Sequence, residues 1–79
     1  MLTSAQIRCA RAALGWSAQE LADKSGVVRR TIASIEGQSG VPSANSGTLL
    51  KIQATLEAAG IEFIGRPDDA PGIRIHVRG

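Results

Sequence analysis

A chain of 79 residues with a formal charge of +2 makes one small domain, near the size at which a single core is barely sufficient, and so mild a charge identifies no partner by itself. The single cysteine excludes an internal disulfide and suits a reducing cytoplasm, while one cysteine and one histidine leave no basis for a metal site or a Cys–His nucleophile pair. No apolar run reaches the length of a membrane span, and no signal-like segment is expected at the start.

The first element is predicted at once. Thr3 and Gln6 form a capping box, Leu2 and Ile7 a hydrophobic staple around it. The helix then runs to about Leu14, with Ile7, Ala10, Arg11 and Leu14 on one face, and Gly15 stops it. An arginine on an inward stripe requires a partner, because a buried unpaired charge is strongly unfavourable. Glu36 is the candidate.

The next two helices lie within Ser17–Gly37. Ser17 and Glu20 make a second capping box, with Trp16 and Leu21 as its staple. Ser25-Gly26 ends that helix, the glycine supplying the left-handed conformation of a sharp turn, and Val27 follows as a buried turn residue. A third helix is predicted from about Val28 to Glu36. Val28, Ile32 and Ile35 share one face, and Arg30, Ala33 and Ser34 point away from it, with Arg29 and Thr31 at their flanks.

These residues carry a resemblance. Leu21, Ala22, Gly26, Val27, Ile32, Ile35 and Glu36-Gly37, preceded by Ile7, Arg11 and Leu14-Gly15, resemble the helix-turn-helix of the Cro and phage repressor family of bacterial regulators, the XRE family. The resemblance covers about residues 3 to 60. It implies a mainly α fold: a four-helix, lambda repressor-like DNA-binding domain with a C-terminal β-hairpin added. It also implies an ion pair between Arg11 and Glu36. Where the family often opens its recognition helix with Ser or Thr, this chain has Val28.

Beyond the motif, Gln38 to Ser46 is a loop by its Gly, Ser, Pro and Asn content. A fourth helix is predicted from about Gly47 to Ala59, capped by Ser46, buried along Leu49, Ile52, Leu56 and Ala59, and closed by Gly60. Thereafter the period changes to two. Ile61–Ile64 and Ile73–Arg78 read as strands around a loop from Gly65 to Gly72. The expected division is therefore a DNA-binding unit at residues 1–60 and a hairpin at residues 61–79. A lone hairpin is marginal in water, so it should pack on the fourth helix or pair with a second copy through Ile73, Ile75 and Val77.

The function expected is that of a sequence-specific regulator, a repressor, which reads a near-palindromic operator in double-stranded DNA as a homodimer. Arg29, Arg30, Ala33 and Ser34 would meet base edges. Ser17, Ala18 and Gln19 would meet the backbone at a helix N-terminus. Thr31, Gln38, Ser39, Ser43, Ser46, Thr48 and Lys51 are further expected backbone contacts. The alternative is an antitoxin or accessory module that uses the same fold to bind a protein partner. No enzyme, cofactor, metal, membrane or small-molecule substrate is expected. Cys9 reads as a half-buried filler, Trp16 as core, His76 as solvent-exposed, and Asp68-Asp69 as turn chemistry.

Overall fold

A computed structural model describes residues 2–76 of the chain. Four helices are followed by two strands: α1 (Ser4–Leu14), α2 (Ala18–Ser25), α3 (Arg29–Glu36), α4 (Ser46–Ala58), β1 (Ile61–Arg66) and β2 (Asp69–Ile75). Both capping boxes form. The Thr3 hydroxyl accepts from the Gln6 amide and the Ser17 hydroxyl from that of Glu20, while each partner side chain returns to the cap's own backbone N–H. Each box satisfies two N–H groups that the helix cannot satisfy internally.

The turn between α2 and α3 is held by backbone geometry and one hydroxyl. Gly26 takes φ 73, the left-handed region. Ser25 Oγ donates to the Leu21 carbonyl at 2.6 Å and accepts from the Val27 amide at 3.3 Å. Val27 then turns inward and is buried, as are Ile32 and Ile35 along α3. Val28 does not join them. It is the residue before α3, and its side chain is 69% exposed. The expected inward stripe thus begins one residue earlier, at Val27, because Val28 is extended rather than helical.

The last helix is also displaced from expectation. Asn45, not Ser46, is its cap, accepting from the Gly47 amide at 2.8 Å and more weakly from that of Thr48. Ser46 is the first helical residue.

The strands reach further into the predicted loop than alternation indicated. They pair antiparallel from Ile61 opposite Ile75 to Arg66 opposite Asp69, with a bulge between Ile64 and Arg66. Gly65 sits in this bulge at φ 79. A Cβ there would lie 2.3 Å from the Ala70 carbonyl oxygen, so no other residue fits. At the open end the His76 amide donates to the Gly60 carbonyl at 2.7 Å.

This sheet corrects the expected class. The described residues are 53% helical and 17% strand, four helices with a two-stranded antiparallel sheet, which is a small α+β arrangement and not specific to repressor domains. The mainly α, lambda repressor-like class with an appended hairpin is replaced for a physical reason. Ile61 is buried in one cluster with Ile7, Leu21, Ile52 and Leu56, and Phe63 and Ile73 pack on that cluster. The apolar side of the hairpin is a wall of the core, with α1 against β2 and α4 against β1.

Gln6 ties the two parts together. Its buried side-chain amide donates to the Ile64 carbonyl at 3.1 Å and the Gly72 carbonyl at 2.8 Å, while its oxygen accepts from the Thr3 amide. Gln6→Ala leaves these groups without partners and lowers unfolding free energy by about 1–3 kcal/mol. Denaturant titration checks this, and an unchanged midpoint would contradict it.

On the hairpin's outer face Glu62 accepts from His76 Nε2 at 2.7 Å and from Arg74 at 3.2 Å. The hydrogen bond to His76 and the nearby charge of Arg74 hold the Glu62 carboxyl below the usual carboxylate range. A carboxyl depressed in the folded state adds stability above the unfolded group's titration, and that stability is lost as pH falls through the lowered folded value. The melting-point difference between the native chain and Glu62→Gln is therefore expected to be present at about pH 6 and to vanish below the usual carboxylate range of about 4. A difference that persists unchanged into acid would refute this account.

Candidate nucleic-acid interface

The placement of α3 is decided at its C-terminal end. Ser4 Oγ donates to the Ile35 carbonyl at 2.7 Å, and Arg8 Nη1 donates to the Glu36 carbonyl. Arg11 meets the Glu36 carboxylate in a two-pronged pair, Nε to Oε2 at 2.8 Å and Nη2 to Oε1 at 2.9 Å, and its third nitrogen reaches the Trp16 carbonyl at 3.0 Å. Residues 4, 8 and 11 lie on one side of α1, so successive turns of one helix grip the end of another. Two cations at a helix C-terminus also suit its dipole. The Arg11 side chain is 25% exposed and that of Glu36 10%. Hydrogen bonding to Glu36 raises the Arg11 pKa above its already high ordinary value, so the guanidinium stays charged at any physiological pH.

The opposite end of α3 is arranged differently. Arg29 and Arg30 are its first two residues, exposed, with no carboxylate in ion-pair range among the described residues. Two cations therefore stand at the positive end of the helix dipole, where carboxylates would be stabilising. The first turn contains no acidic residue. Nor does Val28 cap the helix by a side-chain hydrogen bond. Ala33 and Ser34 are exposed on the same outward side, and Thr31 is half-buried.

Two concavities flank this exposed start. One, of about 510 Å³, is lined by Arg30, Thr31 and Ser34 on one wall and by Ser43, Asn45 and Thr48 on the other. The second, of about 470 Å³, runs from Val28 and Arg29 to Gln19 and Asp23 of α2. The start of α3 is thus a ridge of arginine, threonine and serine between two hollows.

The remaining expected contacts divide. Lys51, Ser39 and Ser46 are exposed, and Thr48 is half-buried at the larger hollow. Gln38 is not free: its amide donates to the Ser34 and Ser43 carbonyls, and its oxygen accepts from the Ser43 N–H at 2.7 Å. It shapes the loop instead of presenting a hydrogen-bonding group outward. At the start of α2 the Ser17 hydroxyl and N–H are taken by the box with Glu20, Ala18 packs on the core, and the Gln19 side chain donates to Asp23 at 2.9 Å. Only the backbone amides of Ala18 and Gln19 are left there for an anion. Of the expected dimer residues, Ile73 packs on the chain's own core, Ile75 is 53% exposed, and Val77 lies outside the described residues.

Cys9 is exposed rather than half-buried. Trp16 packs on the core, with Lys24 Nζ 5.1 Å from its ring centre. Sequence reasoning did not find Ser4, Gln6 and Arg8 as anchors, or the Glu62 cluster. A spacing of four and three from Ser4 to Arg8 to Arg11 was the available signal for the first set. Among the described residues no group of His, Cys, Asp and Glu could hold a metal ion, and no helix is long and apolar enough to cross a membrane. Neither a family model nor a curated protein matches the chain.

The Arg11–Glu36 pair is expected to be coupled. Arg11→Ala and Glu36→Ala each destabilise by about 2–3 kcal/mol, and the double variant costs markedly less than their sum. Thermal or denaturant unfolding of the four chains measures this. Strict additivity would show that the two side chains do not interact.

Proposed function

We propose that this chain binds duplex DNA in a sequence-specific manner by laying the start of α3 in the major groove, as a transcriptional regulator and repressor. The observation that carries this reading is the pair Arg29 and Arg30, exposed and without an ion-pair partner among the described residues, at the helix end where cations are least favoured. A polyanion offsets that arrangement, and a helix flanked by hollows suits a groove whose walls are phosphate. The resemblance of residues 17–37 to the Cro and phage repressor motif supports the same reading.

Arginine forms two hydrogen bonds to guanine O6 and N7, with about 1–3 kcal/mol of discrimination per good pair. Arg29 and Arg30 are assigned that role, with Ala33 and Ser34 beside them. Thr31, Ser43 and Thr48 line the adjoining hollow and are assigned to the phosphates, with Lys51 further along α4. The free amides of Ala18 and Gln19 suit one more phosphate. Two copies would read half-sites about 34 Å apart, one turn of the duplex. The lone cysteine supports a reducing cytoplasm as the setting.

A second reading is favoured by one observation. Leu50 is 63% exposed beside a small apolar hollow lined by Leu2, Leu49 and Gln53. A protein partner, as for an antitoxin, would cover such a surface.

Arg30→Ala is expected to weaken duplex binding about 5- to 150-fold, with an unchanged circular dichroism spectrum. For the native chain the logarithm of affinity should fall linearly with that of salt concentration. Fluorescence anisotropy on duplexes recovered from a random pool measures both. Equal affinity of the native and Arg30→Ala chains would overturn the assignment.

A further inference from the structure

Val28 breaks two rules at once. The residue before a helix is favoured as Ser, Thr, Asp or Asn, whose side chain would accept a free amide of the first turn. Valine makes no such bond here. A large apolar residue ordinarily recovers stability by burial, yet this side chain is 69% exposed, while its neighbour Val27 is buried. Thus neither capping nor packing accounts for a valine at this position. Places where a local rule is broken without compensation inside the fold are where function is expected.

Its surroundings name the chemistry. The Val28 carbonyl accepts from the Thr31 and Ile32 amides at 3.0 and 3.2 Å, so the residue is fixed in place at the head of α3. Its side chain lines the smaller hollow with Arg29 and Gln19. An apolar branched group next to a guanidinium presents two kinds of contact to adjacent positions of a groove floor. In the major groove the only apolar feature of a base edge is the C5-methyl of thymine, and the bidentate partner of arginine is guanine.

We infer that Val28 is a specificity-determining residue that packs on the 5-methyl group of a thymine adjacent to the guanine contacted by Arg29. This rests on the DNA-binding reading above and goes beyond it in naming a base and an atom. The valine relinquishes a helix cap in exchange for that methyl contact, so the position trades stability against sequence preference.

The test separates this inference from the reading beneath it. Duplexes recovered by the native chain from a random pool are resynthesised with each thymine in turn replaced by deoxyuridine, which removes only the methyl group. One replacement per half-site is expected to weaken the native chain about 4-fold, the value of one buried methyl. In Val28→Ser the same replacement should have no effect, while the melting temperature rises because the new hydroxyl caps α3. If native binding is salt-dependent but indifferent to every replacement, the inference falls and DNA binding stands. The inference also falls if Val28→Ser responds to deoxyuridine as the native chain does. If the native chain recovers no duplex, both fall together.

Discussion

The grip of α1 on the last turn of α3 is the constraint on which the rest of the structure depends. An eight-residue helix is too short to be stable alone in water, and α3 is further weakened at its start by two cations and an uncapped first turn. It persists because its far end is secured by the Arg11–Glu36 pair and by the Ser4 and Arg8 bonds to its final carbonyls. Ile32 and Ile35 add burial along its inner side. The helix is therefore anchored at its tail and along its inner face, while its head is left open.

On the proposed DNA-binding reading that division has a functional meaning. Groups that stabilise a fold and groups that meet a ligand compete for the same positions, and α3 separates them by end. At the tail every charge has a partner within 3 Å, and the Glu36 carboxylate is spent on structure. At the head the charges have none among the described residues. A protein that needed only to fold would gain by an acidic first turn and a polar cap, and the proposed DNA contact supplies the partner that this end of the helix lacks within the chain.

How far the sequence foretold this depended on whether a rule acts locally. The capping boxes at Thr3 and Ser17, the glycine turn at Gly26 and the buried positions Ile32 and Ile35 follow from neighbours within four residues, and they were legible. Val28 was misread because helical spacing was extended one residue past the point where the chain leaves the helix. Asn45 was overlooked beside an equally plausible serine. Gln38 was given an outward role because nothing in a linear pattern shows a side chain folding back onto its own loop. The class itself was mistaken where the contacts are longest in sequence. That Gln6 reaches carbonyls 58 and 66 residues away, and that Ile61 completes a core begun at Ile7, is decided by tertiary packing that no periodicity reports. The hairpin consequently reads as an appendage in the sequence and as a wall of the core in the structure.

The central claim is that the open head of α3, and not another surface, meets nucleic acid. Titrating isotope-labelled protein with a recovered duplex and following each backbone amide by NMR tests it most directly. The account predicts the largest shifts at residues 28–34 and 43–48, with the Glu62 face of the hairpin and the outer side of α1 unmoved. Shifts concentrated on the hairpin or at Cys9, with the α3 head silent, would contradict it.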